Sequence, residues 1–488
     1  MVTRLCLLAL CALVGAATPT GIEVGLSQQT FDNFKNTLLP QLLAELSDVT
    51  LPNYSKILGN GFFKVSVLVS KVHATNFNLD LENTGLTLVG PNSAEIKASG
   101  LTGQMTFTWA YESPLGGDSG QGSVEIQDFL MSATLVLGQI NGAPHMTVSA
   151  MNFQISDINI VISNSPIANV ANWLLSVLKD NFIADLTAAL NQYGPPTLNS
   201  VLGEVLGQYS TTVNITDTLA INYQLTQDPV VVSSSYVQLS VLGQFIDLTH
   251  PNLNITNFVT PPPKLPGFNP ADGEIQVFVT EYTLNTGLYA GLSSGAFSGE
   301  VTPDTPGIGY MLTTTVLDSA FPGLVNMYGE DEPCTFACAA VAPAPTFTLT
   351  QGTPGSITGS ITMECDLLVQ KNRTVSMSIA STFNTEASLE NWVLNLTLTH
   401  TEVSSVTVIN SLLNPRPSGE ALEAFLNLLV QGVLPSAFLS IFGQGITLPT
   451  YEGVDLSDAT LSIMTGYLSI QATPVFTFGK ETESLNTR

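Results

Sequence analysis

A serine within a glycine-bounded pattern is the first feature of this sequence that could perform chemistry. Residues 291–295 read G-L-S-S-G and match the G-x-S-x-G pattern, in which a sharp strand-to-helix turn exposes a nucleophile, here Ser293. The residues before it have a helical rather than a strand pattern, and chains rich in small residues match such patterns often. A lipid esterase is therefore an alternative that the sequence context argues against.

A second serine, Ser119, lies in the sequence G-D-S-G at residues 117–120, which is that of the serine-protease nucleophile loop. The only upstream histidine lacks that family's surrounding signature, and residues 116–122 are better explained by a hairpin turn. The four histidines are His73, His145, His250 and His400. They show no metal-binding spacing, and no glycine-rich loop opens a helix to bind phosphate. We predict no enzyme, no metal site and no cofactor.

The N-terminus has the features of a secretory leader. Arg4 precedes an apolar run at residues 5–15, and residues 15–17 are small enough for cleavage, so we predict a signal peptide over residues 1–17. In a secreted chain, Asn-x-Ser/Thr sequons become usable for N-glycosylation. The candidates are Asn53, Asn214, Asn254, Asn372 and Asn395. Together with the leader they predict an extracellular glycoprotein.

Composition limits the partners of this 488-residue chain. Its length suggests two domains rather than one core. Only 11% of the residues are charged, against about 25% in ordinary soluble proteins, while 44% are apolar. The net charge of -26 repels nucleic acid and anionic membranes, so neither is expected as an electrostatic partner.

A proline-rich segment, TPPPKLPG at residues 260–267, divides the chain into two halves with the same order of elements. We predict a first domain over residues 18–259, a linker over 260–268 and a second domain over 269–480. In the first half, residues 26–46 have a helical apolar stripe and residues 60–162 alternate as strands. A long helix is predicted over 165–193, ended by Gly194-Pro195-Pro196, with strands at 221–224 and 236–246.

The second half repeats this plan. Residues 281–295 form a short helix candidate, residues 311–317 and 356–409 are predicted as strands, and residues 418–443 mirror the earlier long helix. A strand pair at 453–463 and 467–472 completes the chain, and the final strands of the two halves could pair beside the linker. Residues 424–451 carry no charge, so a transmembrane span is an alternative there. Polar residues and Pro435 interrupt that run, which favours a buried amphipathic helix.

Several short motifs in order resemble the family of bactericidal/permeability-increasing protein, lipopolysaccharide-binding protein and the plasma lipid transfer proteins. They are G-I-E-V at 21–24, L-P-N-Y-S at 51–55, I-N-Y at 221–223, N-T-G-L at 285–288 and L-P at 448–449. The resemblance covers nearly the whole mature chain. It implies an α+β fold of two pseudo-repeated tubular domains, each a highly twisted antiparallel sheet wrapped around a long helix, joined by a central sheet into a boomerang.

The resemblance also implies a secreted protein that binds phospholipid or another amphipathic lipid, with an apolar pocket in each domain for acyl chains. Transfer of lipid and contact with a membrane or lipoprotein surface are further expectations, while the oligomeric state stays open. The lipid-binding candidates are Phe34, Leu38, Trp173, Leu174, Val177, Leu178 and Phe182 in the first domain, and Phe425, Leu429, Val433 and Phe438 in the second. Ordinary core packing is the alternative for each of them.

The sequence departs from the antibacterial members of that family in two ways. Those members have a disulfide in the first domain, whereas residues 147–151 here contain no cysteine. After loss of the leader only Cys334, Cys338 and Cys365 remain, so either Cys334 or Cys338 could pair with Cys365, and a short loop between Cys334 and Cys338 is the less favoured pairing. We select Cys338 with Cys365, although sequence does not fix connectivity. The endotoxin binders also have lysine-rich hairpin tips, whereas residues 94–113 offer only Lys97. Recognition of bacterial lipopolysaccharide is therefore the alternative function.

Overall fold

The computed structural model describes residues 18–47, 50–51, 53–58, 60, 64–163, 168–207, 209–352, 355–448, 454–456 and 458–476. The predicted leader, residues 1–17, lies outside this part of the chain. Within it the α-helices are α1 (Gln28–Ser47), α2 (Ala168–Leu206), α3 (Glu281–Ser293), α4 (Thr314–Leu317), α5 (Leu324–Tyr328) and α6 (Gly419–Phe442).

Antiparallel strands make up most of the remainder, and the fold class is α+β, as predicted. In chain order the strands are β1 (Ile22–Ser27), β2 (Thr50–Leu51), β3 (Tyr54–Leu58), β4 (Val65–Asn78), β5 (Thr84–Val89), β6 (Ser93–Ser113), β7 (Gly116–Ile140), β8 (Ala143–Ser163), β9 (Thr212–Asn214), β10 (Leu219–Asn222), β11 (Val230–Val232), β12 (Tyr236–Val241), β13 (Gln244–Asp247), β14 (Ile275–Thr280), β15 (Ser298–Val301), β16 (Cys334–Ala340), β17 (Thr346–Thr350), β18 (Ser356–Val369), β19 (Asn372–Glu390), β20 (Val393–Ser411), β21 (Ile446–Thr447), β22 (Val454–Asp455), β23 (Thr460–Met464), β24 (Tyr467–Ala472) and β25 (Val475–Phe476).

Each half of the chain folds a long meander of strands against one long helix. In the first half the sheet order is β2-β4-β6-β7-β8, and α2 lies along β8. In the second half it is β15-β16-β18-β19-β20-β21, and α6 lies along β20. Alternation of side chains explains the strands, because Ala94, Ile96 and Ala98 of β6 point into the core while Lys97 points to solvent.

Asparagine side chains of the helices satisfy the backbone of the edge strands. Asn191 and Asn199 of α2 accept hydrogen bonds from Phe153 N (2.7 Å) and Val148 N (2.8 Å) of β8. Asn427 of α6 accepts one from Val403 N of β20 at 2.7 Å. These bonds join each helix to its sheet, and they supply acceptors for edge amides that have no strand neighbour.

A central sheet joins strands from three distant parts of the chain in the order β11-β12-β1-β14-β24-β23. Strand β1 pairs with β12 on one side and β14 on the other, so that Ile22 lies between Val241 and Val279. The final strands of the two halves, β12 and β24, therefore belong to one sheet but do not pair with each other. Beyond this sheet the apolar interior divides into two cores. Ile215 and Leu219 of the first half already pack in the second core, whereas Val231 and Val237 pack in the first.

Three local predictions were wrong. Helix α2 does not end at residue 193 but continues through Pro195 and Pro196 to Leu206. An internal proline costs roughly 3 kcal/mol, but here the bonds of Asn191 and Asn199 hold the helix on β8 on both sides of the prolines, and Leu198 and Leu202 are fully buried. Tertiary packing therefore overrides the local signal.

The other two errors concern shorter segments. The strand predicted over residues 311–317 is absent: Met311 ends a short 3-10 helix, and residues 314–317 form α4. The Thr313 hydroxyl accepts a hydrogen bond from Val316 N at the start of α4. The single strand predicted over 236–246 is divided between β12 and β13. Gly243 separates them with φ +57°, a left-handed conformation that glycine adopts readily.

Glycines lie beneath aromatic rings at matched positions of the two large sheets. Gly122 of β7 pairs with Phe107 of β6, and Gly359 of β18 pairs with Phe383 of β19. A Cβ atom at Gly359 would lie 2.1 Å from Phe383 Cζ, and Phe383 is only 2% exposed, so the ring has no free space to enter.

We predict that Gly359→Ala lowers the free energy of unfolding by about 1–3 kcal/mol, because the methyl group overpacks a filled site. Gly299→Ala is the matched control, since a Cβ there meets no atom within 4 Å. Urea unfolding of both variants measures the difference. Equal stabilities would show that the Phe383 ring moves aside without cost.

Candidate functional site

Two adjoining apolar chambers lie between the first core and the central sheet. The first chamber, of about 150 Å³, is bounded by α1, the β7–β8 hairpin, the C-terminal end of α2 and strands of the central sheet. The second, of about 80 Å³, extends along the same sheet towards Trp392 and Leu448 of the second half. The two chambers share Leu26, Pro144, Leu239, Ile275 and Val454. We call the pair the apolar cavity.

The strand register explains the direction of the cavity. Val237 and Leu239 of β12 line the first chamber, whereas Leu239 and Val241 line the second. Residues two apart point to the same face of a strand, so the chambers lie end to end along β12. Strand β14 repeats the pattern, because Ile275 lines both chambers and Val277 only the second.

Helix α1 forms one wall of the first chamber, and hydrogen bonds fix its start. Thr30 Oγ1 donates to Glu274 O at 2.9 Å, just before β14, and pairs with Ser27 Oγ at 3.2 Å. Gln28 binds the edge of β5 twice, donating to Leu86 O at 2.8 Å and accepting from Leu88 N at 3.0 Å. One turn later, buried Lys35 donates to Thr84 O at 2.9 Å. These contacts orient Phe31 and Phe34 towards the cavity.

The predicted residues of the first half have different surroundings. Phe34 is half-buried and lines the first chamber. Leu38, one turn further along α1, is 2% exposed and packs in the first core. The remaining predictions lie on α2, but their side chains are outside the described part of the chain. These are Trp173, Leu174, Val177, Leu178 and Phe182.

The predicted residues of the second half lie on α6, on or beside its buried face. Phe438 contacts Phe347, Phe383 and Phe442, with ring centroids 5.0–6.3 Å apart. Phe425 contacts the rings of Phe321 and Phe336. Leu429 is buried and Val433 is half-buried in the same core. None of the four lines either chamber of the apolar cavity.

Sequence reasoning missed most of the residues that line the cavity, among them Leu26, Leu239 and Ile275. A signal was present, because β1, β12 and β14 each have apolar residues two positions apart. Only the pairing of these remote strands shows that the residues share one face. The described lining residues include no Asp, Glu, Lys or Arg, so the walls offer an apolar ligand a site without an unpaired charge.

The geometry around Ser293 argues against the esterase. Ser293 is the last residue of α3 rather than part of a strand-to-helix turn, and its hydroxyl donates to Asp247 Oδ2 at 2.7 Å. His250 Nδ1 lies 2.9 Å from that same carboxylate oxygen. The carboxylate therefore lies between the serine and the histidine, and within the described residues no histidine contacts the serine hydroxyl, as the general base of a catalytic triad does.

This cluster instead joins the end of β13 to α3. The Asp247 side chain is fully buried and accepts hydrogen bonds from Thr249, His250 and Ser293. Burial raises the pKa of Asp247, but the hydrogen bonds from Thr249, Ser293 and His250 outweigh the burial and hold the pKa below its ordinary value.

We predict that Asp247→Asn lowers the free energy of unfolding by about 2 kcal/mol at pH 7, because charge-assisted hydrogen bonds are lost. Because the pKa of Asp247 is lower in the folded than in the unfolded protein, its carboxylate stabilises the fold at pH values above the unfolded pKa of about 4. This stabilisation is lost as the pH falls through the folded-state pKa. The difference in free energy of unfolding between wild type and variant should therefore become smaller below about pH 4. Denaturation curves at several pH values measure it, with exposed Asp272→Asn as the control. A gap independent of pH would contradict the assignment.

The second serine motif also lacks catalytic geometry. Ser119 is within β7 and pairs with Ala110 of β6, while His73 lies on β4 opposite Thr106, further along the sheet. The hairpin turn itself is at Pro114 and Leu115, just before the predicted position. Among the described residues, no three His, Cys, Asp or Glu side chains converge as metal ligands would.

The disulfide forms between Cys338 and Cys365, which lie opposite each other on β16 and β18. Cys334 is a buried free thiol. Burial, with a smaller contribution from Glu332, raises the pKa of this thiol to about 12, so it stays protonated at neutral pH.

The sequons have different accessibility. Asn53, Asn214, Asn254 and Asn372 are exposed, whereas Asn395 is half-buried and donates to Val393 O at 3.4 Å. Glycosylation of all five stays a prediction.

One helical segment in the described chain, Leu422–Phe442, is long and apolar enough to cross a membrane, with a mean hydropathy of 1.8. Core helices of soluble proteins meet the same criteria of length and composition. Here Leu422, Leu426 and Leu434 are buried in the second core, while Leu428 and Leu439 on the opposite face are exposed. This one-sided burial is the pattern of an amphipathic core helix.

Comparisons with known proteins agree with this architecture. Residues 213–476 match a family model described as the C-terminal domain of the LBP / BPI / CETP family. A human protein, BPI fold-containing family C protein, is 21% identical over 384 residues, which cover 76% of this chain and 71% of the relative.

Among solved structures, lipopolysaccharide binding protein superposes with a TM-score of 0.60 at 17% identity, covering 94% of this chain and 100% of that one. At that identity the likeness shows the fold alone. The match with P47 of Clostridium botulinum A2 covers 94% of this chain and 98% of that one at 9% identity. Its TM-score of 0.30 is too low to carry an argument.

Proposed function

Because the chain belongs to the LBP / BPI / CETP family, we propose that it is a lipid-binding protein that holds the acyl part of an amphipathic lipid in the apolar cavity. The observation that carries this proposal is the cavity itself, whose described walls contain no charged side chain. Each methylene group removed from water contributes about 0.8 kcal/mol, so even a short chain gains several kcal/mol there.

The proposal assigns lipid contact first to Phe34, which lines the first chamber. We extend it to Leu239 and Ile275, which line both chambers. For Leu38, for the α2 residues Trp173, Leu174, Val177, Leu178 and Phe182, and for the α6 residues Phe425, Leu429, Val433 and Phe438, lipid contact stays a prediction. A second pocket along α6 would require space among its aromatic rings.

The remaining parts of the proposal concern the whole chain. We propose secretion after removal of residues 1–17, two domains over 18–259 and 269–480, and no enzymatic activity. Members of this family are generally secreted lipid-binding proteins. A carrier with a dry cavity can accept lipid from a membrane or lipoprotein surface, so transfer is the role that we assign to it.

Native mass spectrometry of the purified secreted protein, followed by lipid extraction, tests the proposal. A lipid that co-purifies and is released on denaturation supports it. A protein that carries no lipid, and takes up none from mixed phospholipid and fatty-acid vesicles, would overturn it. In that case the native mass equals that of the chain and its glycans alone.

Electrostatics argue against lipopolysaccharide recognition as the main function. Lys97 is the one lysine in β6, and its Nζ lies 3.2 Å from Glu95 Oε2. This ion pair partly neutralises the charge that would bind a phosphate group. The net charge of -26 adds a general repulsion of anionic lipid A. Binding of purified lipopolysaccharide that is both tight and salt-sensitive would reverse this conclusion.

A further inference from the structure

The outer face of the central sheet, opposite the apolar cavity, carries a row of four aromatic rings. Three belong to strands of this sheet: Tyr236 of β12, Phe278 of β14 and Tyr467 of β24. The fourth, Phe268, comes from the proline-rich segment between the two halves. The Phe268 ring stacks on Phe278 with centroids 4.9 Å apart and lies 5.4 Å from Tyr236. Phe278 in turn contacts Tyr467 at 5.2 Å. These separations are those of attractive ring pairs.

A glycine provides the space that the fourth ring fills. Gly25 of β1 lies between β12 and β14 in the sheet, and a Cβ atom there would collide with the Phe268 ring. The Phe268 side chain is only 8% exposed, so the ring is enclosed on the sheet. Phe268 therefore attaches the segment that carries it to strands from both halves of the chain.

Phe268 is the buried end of a segment that is otherwise unburied. We call this segment, residues 260–268, the strap. Residues 260–267 are exposed or half-buried, and within the described chain none of them makes a hydrogen bond. Directly after the strap, Asn269 N donates to Gln276 Oε1 at 3.2 Å, which fixes the backbone on β14. Segments with few buried contacts open locally at low cost, so the strap is held to the sheet mainly by one ring.

The strands beneath this ring also form a wall of the apolar cavity. Val24 and Leu26, on either side of Gly25, line the cavity, because neighbouring residues of a strand point to opposite faces. Ile275 and Val277 of β14 line it in the same way. Strand β1 continues directly into α1, which forms another wall of the first chamber. A shift of β1 is therefore transmitted to both walls.

We propose that Phe268 is a releasable lock on the apolar cavity. Docked over Gly25, the ring holds β1 against its neighbours and keeps the lipid enclosed; its release lets β1 and α1 move, and lipid is exchanged. The inference rests on the proposed function and adds a means of regulating entry and release. Phe268 does not line the cavity, so its release changes the rate of exchange rather than the contacts that hold the lipid.

Phe268→Ala in the full secreted protein tests the lock through two rates. Cleavage by endoproteinase Lys-C after Lys264, an exposed residue of the strap, measures release of the strap, because proteolysis follows the population of the open state. Transfer of cis-parinaric acid from the protein to phosphatidylcholine vesicles that contain a nitroxide-labelled lipid measures exchange through the loss of fluorescence. We expect both rates to rise by about tenfold or more, and the equilibrium affinity for the probe to change by less than about threefold.

Phe321→Ala is the matched control. Phe321 is also buried and also contacts two rings, those of Phe336 and Phe425, but it lies in the second core. Both rates should stay at the wild-type level in this control, and an equal rise there would show a general loss of stability instead of a lock. Gly25→Ala is a second variant that displaces the ring without altering it, and it should accelerate both rates even where Phe268→Ala does not fold.

The two rates separate the possible failures. Unchanged cleavage after Lys264 in both variants would show that Phe268 does not hold the strap. Faster cleavage with unchanged lipid transfer would show that the strap opens without affecting the cavity. Either result overturns the lock and leaves lipid binding intact. A protein that binds no cis-parinaric acid would also overturn the lock, and would refute the proposed function as well if it took up no lipid from vesicles.

Discussion

Leu239→Trp is expected to lower lipid affinity by on the order of 100-fold, because the indole ring occupies the space that the acyl chain needs. Leu239 lines both chambers, so one substitution obstructs the path where they meet. Displacing about four methylene groups removes roughly 3 kcal/mol of binding free energy, and 1.4 kcal/mol corresponds to a factor of ten. Fold stability should change little, since the added atoms enter a cavity.

Isothermal titration or probe displacement measures this affinity, and thermal unfolding measures stability. The control is Leu412→Trp, which makes the same change at a leucine that is 55% exposed and lines neither chamber. Lipid affinity should be at the wild-type level in the control. A folded Leu239→Trp protein that binds lipid as well as wild type would show that the lipid lies elsewhere.

Phe438→Ala is expected to lower the free energy of unfolding by about 3–5 kcal/mol, the usual cost of removing a buried phenylalanine ring. The ring is 2% exposed and contacts Phe347, Phe383 and Phe442, which come from β17, β19 and α6. Its loss leaves a cavity at the junction of the helix and the sheet. Several ring contacts disappear with the same substitution, each worth about 0.5–1.5 kcal/mol beyond area burial.

The neighbouring residue provides the control for this effect. Leu439 follows Phe438 in α6 but is 63% exposed, so Leu439→Ala should cost less than about 0.5 kcal/mol. Guanidinium unfolding of both variants gives the comparison. Similar losses for the two would mean that the buried face of α6 contributes no more than its exposed face, and would contradict the packing of this core.

The sequence allowed accurate prediction wherever one periodic pattern governs a whole element. Alternation over residues 60–162 and 356–409 corresponds to β4–β8 and β18–β20, and the apolar stripes of residues 26–46 and 418–443 correspond to α1 and α6. The pairing of Cys338 with Cys365 was one of the alternatives left open by the sequence, and the β16–β18 register places these two opposite each other.

Prediction failed where contacts between remote segments decide the outcome. Helix α2 continues past Pro196 because Asn199 and Leu202 pack beyond the prolines, which no local rule anticipates. The cavity was missed for a related reason. Its walls come from β1, β12 and β14, and the neighbours of Leu26 in space are more than 200 residues away in the chain.

Photolabelling tests the central claim most directly. The protein would be loaded with a ten-carbon alcohol that carries a diazirine at its terminal methyl end, irradiated, digested and analysed by peptide mass spectrometry. The account predicts labels in peptides that contain Phe34, Met146 or Leu239, and loss of these labels in Leu239→Trp. Labels confined to exposed residues such as Leu115 or Leu412, and unchanged by that substitution, would contradict it.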